Sequence, residues 1–136
     1  MRKLAATTMV GAVAVATALM PATNASALGG ETLGCRVAPG QTFTFSNFCT
    51  NDSPSDSGYT IAFLVQNTSG TYTYAWSIPG PSSVYAGCTS TSNSCTISVT
   101  RSTREYVMSV TLSQGGSSET LTAYADIEPW CGNVLC

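Results

Sequence analysis

"YTIAFLVQNTSGTYTYAWSIPGP", residues 59 to 81, decides how this chain folds. Its first half places Tyr59, Ile61, Phe63 and Val65 on one face of an extended strand, with Ala62 and Leu64 on the other. Side chains alternate along a strand, so two apolar faces predict a central strand. Its second half puts Tyr72, Tyr74, Trp76 and Ile78 on one face and Thr71, Thr73, Ala75 and Ser77 on the other. "TSG", residues 68 to 70, reads as a turn between the two runs, which predicts a β-hairpin. Pro79 and Pro81 end the second run, because proline cannot donate to a ladder.

The same period-two pattern extends in both directions. "QTFTFSNF" places Phe43 and Phe45 on one face and predicts the first strand. "SSVYAGC" is a short strand, and "CTISVT" carries Ile97 and Val99 inward. "EYVMSVTLSQ" alternates Tyr106, Met108, Val110 and Leu112 against Val107, Ser109, Thr111 and Ser113. "GGSS" is a turn, and "ETLTAYADIEPW" alternates Leu121, Ala123, Ala125 and Ile127 against Thr122, Tyr124 and Asp126. No segment after residue 27 has helical periodicity. About seven strands with regular turns predict an all-β, antiparallel sandwich of immunoglobulin-like type.

The start of the chain has a different character. Arg2 and Lys3 precede an apolar run from Leu4 to Met20, Pro21 breaks it, and Ala25-Ser26-Ala27 supplies a small-x-small cleavage pattern. Residues 1–27 therefore read as a secretory signal peptide, and 28–136 as one domain that is secreted and extracellular. The alternative, a membrane anchor, would need a longer unbroken span. All six cysteines fall in 28–136, which in an oxidising compartment reads as three disulfides. Cys88 and Cys95 bracket "TSTSNS", Cys35 and Cys49 flank the predicted first strand, and Cys131 and Cys136 bracket "GNVL". These three local bridges are one solution. The other ties Cys35 or Cys49 to Cys131 or Cys136. Zinc is a poor alternative, since no C-x₂-C pair is present.

Residues 28–136 hold three cations, Arg36, Arg101 and Arg104, against seven acidic residues, with no lysine and no histidine. A net charge of −4 argues against nucleic acid or an anionic membrane as partner. The missing histidine excludes Ser-His and Cys-His catalysis. Paired carboxylates remain as hydrolytic candidates, either Asp126 with Glu128 or Asp52 with Asp56, but neither pair falls in a predicted cleft. Asp52 and Asp56 also fall short of a full calcium loop, because no later bidentate glutamate follows them, so a solvated turn is expected. Asn51-Asp52-Ser53 and Asn67-Thr68-Ser69 match glycosylation acceptors.

"TYTYAWSIPG", "GCTSTSNSCTISV" and "REYVMSVTLSQGGSSETLTAYADI" together resemble PKD-like and immunoglobulin-like domains of secreted bacterial proteins, over roughly residues 59 to 127. The alanine-rich leader and Ser/Thr-rich remainder are similar to those of actinobacterial proteins. Such a resemblance implies a binding or spacer module. Expected is a monomeric, non-catalytic binding module without cofactor or metal, taking an extracellular protein or a glycan. Tyr72, Tyr74, Pro79 and Pro81 are its candidate binding residues. The aromatic row could stack on sugar rings, but a third-strand tryptophan in a sandwich normally packs inward, so Trp76 is assigned to the core. Two alternatives stay open. One is an inhibitor of a secreted protease or other hydrolase, presenting "CTSTSNSC" or "SIPGPSS". The other is a small-molecule carrier, a role that some actinobacterial chromoprotein apoproteins of similar architecture fill.

Overall fold

The computed structural model describes residues 28–40, 44–131 and 134–136. The expected signal peptide and Phe43 lie outside the described residues. The described chain forms ten strands: β1 (Thr32–Ala38), β2 (Phe48–Thr50), β3 (Tyr59–Gln66), β4 (Thr73–Ser77), β5 (Ser83–Gly87), β6 (Ser94–Val99), β7 (Arg104–Gln114), β8 (Ser117–Ile127), β9 (Trp130–Cys131) and β10 (Val134–Leu135). One sheet has the order β1-β3-β6-β5 and the other β2-β8-β7-β4, with β9 and β10 as a separate pair. All pairings are antiparallel except β2 with β8. Without the short β2, β9 and β10, seven strands remain, and their division between the sheets is that of an immunoglobulin-like sandwich.

The core lies between the sheets. β3 sends Tyr59, Ile61, Phe63 and Val65 inward, and β7 meets them with Tyr106, Met108, Val110 and Leu112. Burying each such side chain stabilises the fold by roughly 1.5–3 kcal/mol. β3 sits between β1 and β6, as its two apolar faces require. The long β7–β8 hairpin turns on Gly115 and Gly116, whose φ values of 57° and 86° suit the tight turns that match strand twist.

Three expectations need correction. First, there are ten strands among the described residues rather than about seven. The first is "TLGCRVA", whose mixed pattern hides the inward set Leu33, Cys35 and Val37. "QTFTFSNF" is not a strand over its described part. Only Ser46 bridges to Cys35 before β2 begins at Phe48. Gly34 lets this segment lie close, since a Cβ there would come 2.7 Å from Phe45 Cβ. Second, β3 and β4 do not form a hairpin. They lie in different sheets, and the chain crosses between them with Asn67 at φ 59° and Gly70 at φ 97°. Each run carries a bulky row on one face, and only opposed sheets bury both rows against each other. Third, Cys35 and Cys49 do not flank one strand. Their bridge joins β1 of one sheet to β2 of the other, deep in the core.

All three disulfides are local: Cys35–Cys49, Cys88–Cys95 and Cys131–Cys136. β5 is exposed along its whole length, and a register shift between Val84 and Ala86 interrupts its pairing with β6. Such bulges discourage edge-to-edge pairing.

Candidate functional site

The aromatic row of β4 is an interior feature. Tyr72 and Tyr74 are 6% and 9% exposed. Trp76 is half-buried against the core, with its ring stacked 6.4 Å from that of Tyr74. Its indole N–H donates to Ser92 O at 3.1 Å. Thr71, Thr73, Ala75 and Ser77 face solvent. Tyr72 and Tyr74 are thus withdrawn from any exposed stacking surface. Pro79 is half-buried, and Pro81 is exposed beside a shallow cavity with Ser82, Ser83 and Val99. Exposed aromatics on a sheet face lie elsewhere: Phe48 and Tyr124 pair in register on the outer face of the second sheet, with Val107 beside Tyr124.

The sandwich has two poles. At one, the chain ends, turns and loops bind one another. Tyr72 donates its hydroxyl proton to Glu31 Oε1 and accepts from Ser69 N–H. Glu31 Oε2 accepts from Gly29 and Gly30 N–H at 2.9 and 3.0 Å. These donors, Gly29 first, then Tyr72 and Gly30, hold the Glu31 carboxyl at a pKa of about 2. The hydrogen bond to Glu31 raises the Tyr72 phenol, and burial raises Tyr74. Gln114 Nε2 donates to Ser69 O and Thr71 O at 3.1 and 3.3 Å. The Cys88–Cys95 loop is docked here too, because Tyr74 N–H donates to Ser90 O and Val65 N–H to Asn93 O, each at 2.9 Å.

The opposite pole is built on Asn51, which is fully buried. Its Nδ2 donates to Tyr59 OH and Glu128 O, both at 3.0 Å, and its Oδ1 accepts from Glu128 N–H at 2.7 Å. Tyr59 OH donates in turn to Ser53 O at 3.1 Å. Asn51 is therefore a structural clamp between the β2 end and the β8 end, with no free amide for a glycan.

Above this clamp a cavity of about 340 Å³ opens, lined by Pro54, Ser55, Asp56, Tyr59, Arg101, Glu128, Pro129 and Trp130. Two neighbouring hollows of about 490 and 410 Å³ share Ser57 and Val99, so all three cavities cluster at this pole. The structure takes one carboxylate from each pair singled out in the sequence, Asp56 and Glu128, and sets both on one cavity wall. Asp52 and Asp126 do not line it. Among the described residues no cluster of three or more His, Cys, Asp or Glu is placed to hold a metal.

Trp130 and Arg101 were not singled out as site residues in the sequence, and Asn51 was read only as a glycosylation acceptor. "EPWCGNVLC" held the signal for Trp130: a large aromatic directly before a closed cysteine pair. In the fold β9 and β10 pair, Cys131–Cys136 closes them, and Cys136 N–H donates to Pro129 O at 2.9 Å. That hairpin fixes the indole at the cavity wall. Its Nε1 is buried with no hydrogen-bond partner among the described residues.

The chain matches no protein-family model, no curated protein and no solved structure.

Proposed function

We propose that residues 28–136 act outside the cytoplasm as a monomeric, non-catalytic binding module that takes its partner at the Asn51 pole. The observation that carries this reading is the set of polar groups around the 340 Å³ cavity. Arg101, Asp56, Glu128 and Trp130 all line this one cavity, and no side-chain hydrogen bond or ion pair joins the first three to one another among the described residues. Charged groups of both signs beside a large aromatic at one cavity support a ligand role. The leader sequence and three disulfides support an oxidising, extracellular setting. The missing histidine supports a non-catalytic role.

The inhibitor reading keeps one observation of its own. Backbone hydrogen bonds to β3 and β4 fix the Cys88–Cys95 loop, and a fixed loop loses little entropy on binding. It lacks a Trp, Tyr or Arg anchor, which interface hot spots favour.

Amide NMR on labelled residues 28–136 separates the two. The chain would be titrated with mixtures of saccharides, dipeptides, small amines and carboxylates, and separately with secreted proteases. Shifts gathered at 54–59, 100–104 and 128–130 are the expected result. Shifts confined to 88–94 with stoichiometric block of a protease would replace this reading with the inhibitor. Silence at both, or turnover of a bound compound, would end it.

A further inference from the structure

We propose that the Trp130 cavity is a saccharide subsite, which takes a neutral polyhydroxylated ring; this rests on the reading of the Asn51 pole as the binding end. The argument begins with the polarity of the free groups. Arg101 offers only donors, and Asp56 and Glu128 offer only acceptors when ionised. No Arg101–carboxylate ion pair forms within 4.0 Å among the described residues, although all three groups border one cavity.

A single ligand must therefore accept from Arg101 while donating to Asp56 and Glu128. A hydroxyl does both, and neighbouring hydroxyls on a sugar ring do both at adjacent points. An anion would meet two carboxylates and a domain of net charge −4. A cation would meet the like charge of the Arg101 guanidinium.

The apolar side of a sugar ring needs a flat partner. Trp130 supplies aromatic surface, and Pro129 adds a rigid apolar edge. These groups are set before any ligand arrives. The closed β9–β10 hairpin holds Trp130, and the Asn51 clamp holds Tyr59. Preorganisation of this kind lowers the entropy cost of binding. The volume, about 340 Å³, falls at the small end of ligand sites, which run roughly 300–1,000 Å³, and suits a ring or two with the rest of a chain outside.

The test is isothermal titration of residues 28–136 with cellotriose, maltotriose and triacetylchitotriose, alongside a Gly-Gly and Lys-Gly dipeptide control. Trp76→Phe leaves Trp130 as the sole tryptophan for a parallel fluorescence titration. At least one trisaccharide is expected to bind and change Trp130 emission. Arg101→Met is expected to weaken that binding about tenfold, and Trp130→Leu, which removes the aromatic face, by about three- to tenfold. Arg101 is exposed in a connecting loop, so its variant should fold, and its amide spectrum would verify this. No binding by any trisaccharide overturns the proposal, as does binding that all variants leave unchanged. Dipeptide binding with the same variant sensitivity would overturn the saccharide class and leave the binding pole intact.

Discussion

The two poles of this sandwich solve the same problem in opposite ways. Each must satisfy the polar groups released where strands end. The pole at Glu31 and Tyr72 satisfies them internally: a carboxylate, a phenol, a glutamine amide and a disulfide-closed loop are joined by hydrogen bonds. The pole at Asn51 satisfies its floor and leaves an arginine, two carboxylates and a half-buried tryptophan around an open cavity. The difference fits the proposal that recognition falls to the Asn51 pole.

The largest effect is expected from breaking the floor. Asn51→Ala removes three hydrogen bonds from a fully buried site and leaves Glu128 N–H and Tyr59 OH short of partners. A loss of about 3 kcal/mol follows, read as a lower urea midpoint. A loss under about 1 kcal/mol would mean that the floor does not organise this pole, and the contrast between a built base and an open rim would fail.

The closed pole predicts a medium effect with a definite sign. Glu31 titrates at about 2 in the fold against an ordinary value of 4.5. Between those values the unfolded chain binds more protons, so stability rises with pH across that window. The contribution is complete above about 4.5 and is lost as pH falls through about 2. Glu31→Gln should flatten this acid limb while keeping the fold, as urea midpoints from pH 7 down to 2 would measure. An unchanged limb would place the acid sensitivity elsewhere and remove Glu31 from the centre of the closed pole.

The sequence revealed the fold better than the site, and for a physical reason. Strand faces are local: Ile61, Phe63 and Val65 alternate within one run, so their burial is readable without knowing the partner. β1 was hidden because Gly34, Cys35 and Arg36 interrupt any simple alternation. The β3–β4 connection was misread because a turn signal reports that the chain turns, not whether it stays in the same sheet. Tyr72 and Tyr74 misled in a similar way as binding candidates, since exposure depends on what lies opposite, here the Cys88–Cys95 loop and the facing sheet. The cavity is the least local feature. Asp56 and Arg101 lie in two separate connections and Trp130 opens β9, and they meet only because the start of β3 and the ends of β6 and β8 fall at one pole.

The smallest effect on stability is the most informative about function. If Arg101, Asp56 and Glu128 serve a ligand, removing their charge should leave the fold almost untouched. Arg101→Met and Asp56→Asn are each expected to stay within about 0.5 kcal/mol of the parent in urea unfolding. Gln114→Ala, which loses two hydrogen bonds to Ser69 and Thr71 at the closed pole, should cost about 1 kcal/mol. That ordering is what two divided roles require. If Arg101→Met cost more than Gln114→Ala, Arg101 would be bracing its loop, and the cavity would be a gap in the packing. If it cost nothing, its charge would have no structural use in the folded domain and would be free to serve the proposed ligand.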